Sequence, residues 1–150
     1  MLISMIYADN NKATFDYEIL EKFQAGLKLT GFETKAIKAG KCSLRGAYVK
    51  IIGGVPQLIG ATISPYQPNN LPEGYESDRT LTLLLNQSEI AHLVGQSEKA
   101  GLALVPLKLF SEKNLIKLEL GLARGKKKYD KREAIKKREF ERKEKRGQNV

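Results

Sequence analysis

The chain is poor in the side chains that most catalytic and metal sites require. Its 150 residues include one cysteine, one histidine and no tryptophan. A zinc site needs several clustered Cys, His or carboxylate ligands. A Ser–His–Asp arrangement would have only His92 as its base, and no serine lies in a nucleophile-elbow motif. We expect His92 to be an ordinary surface or half-buried histidine, and the protein to be no enzyme and to use no metal or cofactor.

The sequence also lacks the segments that cross or reach a membrane. It has no run of about 18 apolar residues, and its first residues show neither a charged segment nor a signal-peptide cleavage site. The single Cys42 excludes an internal disulfide and fits a reducing cytoplasm, where we place the protein. Lys41 and Arg45 could lower the pKa of this thiol, whereas a buried, inert cysteine is the simpler interpretation.

Positive charge is abundant, and it is concentrated at the C-terminal end. Residues 124–146 contain 13 Lys and Arg against 5 Asp and Glu, a net charge of +8, whereas the whole chain has 26 against 17, or +9. By difference, the remaining residues hold 13 against 12, or +1. A basic terminal block indicates an arm that binds a polyanion, with nucleic acid ahead of an acidic membrane or protein.

The residues before this block show the alternation of short strands. Two strands are predicted around a turn at Gly53–Gly54, and a hairpin is predicted from "LALVPLKLF" and "LIKLELGLA" with its turn at "SEKN". Further strands are expected in 16–29 and in "RTLTLLLN". Leucines alternate with polar residues after the "SEKN" turn, which is typical of an antiparallel sheet with one wet face. Pro106 must lie at an edge or a bulge.

Two helices have clear start signals. Thr30 and Glu33 have the spacing of a capping box, which predicts a short helix at about 31–39. Asn86 and Glu89 repeat this spacing ahead of a helix of three to four turns ended by Gly101. The proline-rich segment between the two helices, "SPYQPNNLPEGYESD", is predicted to be a loop.

The number of elements bounds the architecture. Five or six short strands with two or three helices predict a mainly β (α+β) body over residues 1–123, in which a small closed or partly closed antiparallel barrel protects the strand edges. Residues 124–150 form a separate basic tail. Its apolar residues make no stripe to bury, so we expect the tail to be disordered when free and helical on a partner.

Six strings identify a resemblance. "NNKATFDYEIL", "FQAGLKLTGFETKAIKAGK", "TISPY", "LLLNQSEIAHLVG", "GLALVPLKLF" and "KLELGLARGKKKYDKRE" occur in this order, and together they resemble the SsrA-binding protein (SmpB) family of bacteria. The resemblance implies an oligonucleotide-binding-type β-barrel with flanking helices. It implies binding to the tRNA-like part of transfer-messenger RNA. This RNA has no anticodon stem, and the protein takes the place of that missing half.

The resemblance also implies the partners of a ribosome rescue factor. The RNA–protein pair enters ribosomes stalled on broken messages, and the tail becomes helical in the empty mRNA channel near the decoding centre. Elongation factor Tu is an indirect partner through the aminoacylated RNA. A monomeric protein without a membrane partner is expected. A structural ribosomal or general RNA-binding barrel with a basic tail is the alternative.

The resemblance assigns roles to particular residues. Contacts with transfer-messenger RNA are implied for Asn10, Lys12, Gln24, Glu33, Lys35, Arg124, Gly125, Lys126 and Lys127. Contacts at the decoding centre are implied for Tyr129, Asp130, Lys131 and Arg132, where an aromatic ring can stack on a base and a guanidinium can grip phosphate. Simpler interpretations stand beside these: "NNK" as a turn, Glu33 as a capping residue only, and 129–132 as part of a solvated charged tail.

Some positions depart from the family pattern. Gln24 stands where the family usually has Glu, an acid implicated in the RNA interface, and Asn11 stands where Arg is usual. Thr62 replaces a histidine, and Leu81 and Thr82 replace a basic pair. These departures reduce charge in the body and predict weaker RNA binding or a diverged RNA. An amide at position 24 keeps an acceptor and adds donors, so it does not exclude binding.

Overall fold

The structure is a computed structural model that describes residues 5–126 and 136–140. Its strands are β1 (Met5–Asp9), β2 (Tyr17–Leu27), β3 (Cys42–Ser43), β4 (Tyr48–Ile52), β5 (Val55–Ile59), β6 (Thr62–Ile63), β7 (Leu81–Leu84), β8 (Leu102–Glu112) and β9 (Leu115–Gly125). Its helices are α1 (Asn11–Asp16), α2 (Gly31–Lys38) and α3 (Gln87–Ser97). Residues 136–140 are also helical. The mainly antiparallel fold with flanking helices confirms the predicted class.

Seven strands form one antiparallel sheet in the order β1-β8-β9-β2-β7-β5-β4, and β3 pairs with β6 separately. The order places the two longest partners of β9 on either side of it. β8 pairs with β9 from Leu102 opposite Arg124 to Glu112 opposite Leu115. β2 pairs with the other edge of β9 from Tyr17 opposite Gly125 to Gly26 opposite Lys117. One end of this sheet therefore gathers the starts of β2 and β8 and the end of β9.

Of the two predicted alternatives, a closed or a partly closed barrel, the structure excludes the closed one, because β4 and β1 stay at the two ends of the sheet order. The sheet curls enough to bring β4 near β8. β9 covers one edge of β8, whereas β1 covers the other edge only over residues 108–111. β4 faces residues 102–105 of β8, beyond the reach of β1, and a cleft separates the two strands where a closed barrel would be sealed.

Pro106 lies in a central strand, and a bulge accommodates it. The register of β8 against β9 shifts between Pro106 and Lys108. Proline has no N–H to give to a neighbouring strand, so a bulge is the place where an interior strand tolerates it. The prediction of an edge or a bulge is confirmed as a bulge.

The helix starts match their sequence signals. Thr30 and Glu33 form a complete capping box at α2, and Asn86 and Glu89 form another at α3. α3 ends at Ser97, so the prediction that it extends to Gly101 was too long. Gly101 instead adopts a left-handed conformation (φ 80°) just before β8, which glycine tolerates without strain.

The core lies on the inner face of the curled sheet. Leu118, Leu120 and Leu122 of β9 are each at most 2% exposed and pack with Leu58, Leu83 and Leu93. The predicted alternation along β9 is thus confirmed. Truncating such a leucine to alanine typically costs about 2–5 kcal/mol. Among the described helices, none is long and apolar enough to cross a lipid bilayer.

Candidate nucleic-acid interface

α1 is held on the sheet by one buried side chain. Ala13 is 5% exposed and packs in a small second cluster with Val105, Leu107 and Ala123. Gly121 permits this close packing, since a Cβ atom there would lie 3.0 Å from the Ile19 side chain. No helix was predicted here, where "NNK" indicated at most a turn, because six residues are too few to show helical periodicity.

Asn10 ties the start of α1 to the bulge in β8. Its backbone N–H donates to the Leu107 carbonyl at 2.9 Å, and its side-chain Nδ2 donates to the Pro106 carbonyl at 2.8 Å. Both bulge carbonyls thereby gain partners that the disturbed ladder does not supply. Asn10 thus holds α1 in place, and the exposed Lys12 follows on the helix.

The end of β9 reaches the same place. The Lys126 N–H donates to the Asp16 carbonyl at 2.9 Å, and its Nζ donates to the Thr14 carbonyl at 3.0 Å. A guanidinium N–H of Arg124 donates to Oε2 of Glu18 at 2.8 Å, with both side chains more than half exposed. Exposed pairs of this kind contribute about 0–1 kcal/mol, so a phosphate can replace the carboxylate at small cost.

Two adjoining cavities lie beside Lys12, and we call them together the α1 cleft. The larger, of about 550 Å³, is bounded by α1, by β4 and by Leu102–Val105 of β8. The smaller, of about 340 Å³, includes the loop with Arg45. Tyr48 and Lys50 of β4 line the larger cavity. Sequence reasoning missed these three residues, because "RGAYVK" carries only a strand signal and the cleft forms between distant segments.

In α2 the buried carboxylate of Glu33 is paired with a cation of the protein itself. Glu33 is 3% exposed. Its Oε1 accepts from the Thr30 N–H at 2.9 Å and from a guanidinium N–H of Arg79 at 2.7 Å, while its Oε2 accepts from Nε of Arg79 at 3.1 Å. Burial alone would raise the pKa of Glu33, but the hydrogen bonds from Arg79 and Thr30 and the charge of Arg79 outweigh burial and lower it.

The ion pair between Glu33 and Arg79 also anchors the loop that leads to β7. Phe32 of α2 meets the ring of Tyr75 edge-on, with ring centroids 5.1 Å apart. The Tyr75 hydroxyl donates to the Ile63 carbonyl, and its pKa is raised by burial and by the charge of Glu33. One packed unit is therefore formed by Phe32, Glu33, Tyr75 and Arg79. The interpretation of Glu33 as a capping residue only accounts for its contact with Thr30 but not for its contacts with Arg79.

The remaining predicted RNA contacts in the body lie apart from the α1 cleft. Lys35 is exposed on α2, and α2 packs against β6 rather than against α1. Gln24 is exposed in β2, directly opposite Glu119 of β9. A glutamate at position 24 would face that carboxylate across the strands, and directly opposed like charges are destabilising. The amide at this position removes the repulsion.

Several predicted contacts cannot be placed. Lys127 and the four decoding-centre residues, Tyr129, Asp130, Lys131 and Arg132, lie outside the described residues. In the tail, residues 136–140 are helical and exposed, and the guanidinium of Arg138 lies over the Phe15 ring of α1 at 4.8 Å from its centroid. The predicted disorder of the free tail stays a prediction.

Cys42 and His92, the single cysteine and the single histidine, have the contacts of ordinary structural residues. Cys42 is half-buried. Burial raises the pKa of its thiol, whose Sγ donates to the Tyr7 carbonyl at 3.6 Å, which favours the inert interpretation over activation by Lys41 and Arg45. Nε2 of His92 lies 2.7 Å from Oε2 of Glu21 at the exposed contact of α3 with β2. Within the described ranges, no three His, Cys, Asp or Glu side chains cluster as metal ligands would.

Comparison with known sequences gives a consistent family. The sequence pattern of the SmpB protein family matches residues 7–149. The chain is 51% identical over 137 residues to the SsrA-binding protein of Gloeobacter violaceus, covering 91% of this chain and 90% of the relative. It is 48% identical over 142 residues to the SsrA-binding protein of Thiobacillus denitrificans, covering 95% of both chains. The SsrA-binding protein of Roseiflexus castenholzii is 46% identical over 140 residues, covering 93% and 89%.

The fold has a counterpart among solved structures. A chain from a structure described as "tmRNA-SmpB: a journey to the center of the bacterial ribosome" superposes with a TM-score of 0.66 and 38% sequence identity. The superposition covers 85% of this chain and 92% of that chain. The likeness therefore extends over most of both chains.

Proposed function

Because the chain belongs to the SmpB protein family, we propose that it binds the tRNA-like part of transfer-messenger RNA and brings that RNA to stalled ribosomes for trans-translation. The SsrA-binding proteins it resembles are named for this RNA, and its structural counterpart is described with tmRNA and the bacterial ribosome. The role is one of binding and not of catalysis, carried out in the cytoplasm by a monomer.

The observation that carries the proposal is the convergence of cations at one end of the sheet. Lys12 of α1 meets Arg124 of β9 and Lys126 there, although Lys12 is more than 110 positions from the other two in the chain. Gly125 lies between the last two and presents backbone without a side chain, which suits close approach to phosphate. Phosphate contacts of this kind position a protein on RNA.

The α2 region takes part in a different way. Glu33 is too buried and too fully hydrogen-bonded to meet RNA directly. It holds Arg79 and the loop before β7 against α2, and so fixes the surface that carries the exposed Lys35. We therefore assign Glu33 a positioning role in the RNA interface, with Lys35 as the contact.

The basic tail, residues 124–150, supplies the ribosomal contact in this proposal. It starts at the cationic end of the sheet, and its net charge of +8 over 124–146 suits a channel lined by RNA phosphates. Tyr129, Asp130, Lys131 and Arg132 would lie at the decoding centre. Elongation factor Tu joins through the aminoacylated RNA, without contact sites assigned on this chain.

Gel-shift titration tests the proposal. The full-length chain is titrated against transfer-messenger RNA and against an ordinary tRNA at matched salt, since affinities for RNA are comparable only at the same ionic strength. Tighter binding to transfer-messenger RNA is expected. Equal affinity for the two RNAs would overturn the proposal in favour of a general RNA-binding or ribosomal protein.

A further inference from the structure

The α1 cleft has the size and lining of a binding site. Its larger cavity, about 550 Å³, is within the range of roughly 300–1,000 Å³ that small ligands occupy. Its floor is the apolar stretch Leu102–Val105 of β8, in which Leu104 and Val105 are buried. The cleft lies between β4 and the part of β8 that β1 does not cover, so regular strands form its floor and one of its walls.

One wall carries an aromatic ring that the core does not use. Tyr48 begins β4 and is 50% exposed, whereas its neighbour Val49 is buried. Side chains two residues apart in a strand point to the same face, so Lys50 lies on the same side of β4 as Tyr48, and both line the cleft. The ring of Tyr48 and the ammonium group of Lys50 are therefore presented together.

Among the described residues, the cations around the cleft form no ion pairs. The ion pairs found among residues 5–126 and 136–140 use Lys22, Arg79, Lys108, Lys117, Arg124 and His92. In that described part of the chain, Lys12, Arg45 and Lys50 have no carboxylate within the 4.0 Å of an ion pair. Three cations from three separate segments thus border one cleft, which Asp16 also lines, without an ion pair to any described residue.

From this arrangement we infer that the α1 cleft binds a single unpaired nucleotide of RNA. The base stacks on Tyr48 above the Leu102–Val105 floor, and the flanking phosphates lie against Lys12, Lys50 and Arg45. An exposed aromatic ring bordered by cations is the combination with which proteins hold single-stranded RNA. The inference rests on the proposed function and adds a subsite, centred on Tyr48, to the phosphate contacts proposed above.

Tyr48→Trp provides a direct test, because the chain contains no tryptophan and the new indole is a unique reporter at the cleft. Transfer-messenger RNA and a short oligouridylate are the probes. Both are expected to quench the fluorescence of this variant. The control is Leu115→Trp, which places the reporter on an exposed site (63%) at the far end of β8 and β9, about 30 Å away at 3.3 Å per residue. Its emission should not respond to the oligouridylate.

Affinity measurements separate stacking from charge. Tyr48→Ala should weaken RNA binding by about tenfold or more, the loss of one base–aromatic stack, and Tyr48→Phe should restore it. Lys50→Ala should reduce the slope of log affinity against log salt by about 0.7–0.9. Lys113→Asn removes the same charge at the distant turn, where Asn tolerates the positive φ of 51°, and should leave the slope unchanged.

The outcomes distinguish the subsite from the function. Selective binding of transfer-messenger RNA without quenching in Tyr48→Trp, or with full affinity in Tyr48→Ala, overturns the subsite and leaves the proposed function intact. Quenching by ordinary tRNA and transfer-messenger RNA at equal affinity supports the subsite and overturns the proposed function. Equal loss of salt slope in Lys50→Ala and Lys113→Asn shows diffuse charge attraction and contradicts the subsite.

Discussion

At α2, the Glu33 carboxylate lies 2.7 Å from the guanidinium of Arg79 and is buried. Around the α1 cleft, Lys12, Arg45 and Lys50 have no carboxylate at ion-pair distance among the described residues. Both regions contain residues that family resemblance or geometry connects with RNA. In the first the charge is used to hold the protein together, whereas in the second it is available to a polyanion.

This difference changes how a loss of RNA binding should be interpreted. Removing a buried, paired carboxylate disturbs the fold around it, because its partner loses a charged hydrogen bond. Removing an unpaired surface lysine leaves the fold nearly unchanged and weakens only the contact with phosphate. Two variants with the same loss of RNA affinity can therefore report different causes, and stability measurements distinguish them.

The largest effect is expected where the cationic end continues into the tail. Removing residues 129–150 should abolish peptide tagging on stalled ribosomes, because the decoding-centre contact is lost. Binding of isolated transfer-messenger RNA should remain largely intact at moderate salt, because the sheet, α1 and α2 are untouched. A reconstituted tagging assay and a gel shift measure the two quantities. Tagging by the truncated protein would refute the division between body and tail.

The ion pair at α2 should dominate the stability changes. Glu33→Ala removes the N3 acid of a capping box and the acceptor of two hydrogen bonds from Arg79, each worth about 1.5–3 kcal/mol. Arg79 keeps about two-fifths of its side chain exposed, so water offsets part of this loss, and we expect a fall of about 2–3 kcal/mol in the free energy of unfolding. Urea denaturation measures it. Lys35→Ala, on the exposed face of α2, is the control and should change stability by less than about 0.5 kcal/mol.

At the end of the sheet where Lys12, Arg124 and Lys126 meet, substitutions should weaken RNA binding and leave stability nearly unchanged. The double variant Lys12→Ala, Lys126→Ala removes two contacts with phosphate and should reduce the slope of log affinity against log salt by about 1.4–1.8. Its urea midpoint should remain close to that of the parent chain. Lys22→Ala, whose Nζ lies 3.9 Å from Glu119, provides a matched loss of charge outside the interface. A slope that changes equally in Lys22→Ala would show that position on the surface does not matter.

The smallest effect is a pH dependence confined to α2. The pKa of Glu33 lies below its ordinary value of 4.5 in the folded protein. A lowered pKa contributes stability that is complete above the unfolded value and is lost as pH falls through the folded value. Unfolding free energies measured from neutral pH downward should therefore decrease below about pH 4.5. Glu33→Gln should be less stable at neutral pH and should lack this part of the decrease. Parallel pH curves for both proteins would contradict the assignment.

Much of the fold could be predicted because its signals are local. Both capping boxes lie within four consecutive residues, and the alternation that predicts β9 needs only its own sequence. The bulge at Pro106 follows from the missing N–H of proline. By contrast, α1 is too short to show a helical period. The end of α3 was misplaced because helix ends fray and their exact position depends on tertiary contacts.

For the candidate site, sequence resemblance identified Lys12, Arg124 and Lys126 but could not show that they meet. The pairing of β2 with β9 brings them together. Resemblance also grouped Glu33 with RNA contacts, and only the structure shows its partner Arg79, 46 positions away. No pattern in the sequence pointed to Tyr48, since an exposed tyrosine at the start of a strand has many uses.

The sequence by itself determined the longer strands and the starts of α2 and α3, the separation of a nearly neutral body from a basic tail, and the family. These depend on neighbouring residues, on composition and on ordered motifs. Only the tertiary structure decided that the sheet stays open, because the distance between β4 and β8 depends on the twist of the strands between them, which no local pattern specifies. It also decided which charges are neutralised, since an ion pair depends on distances between segments that sequence spacing does not specify.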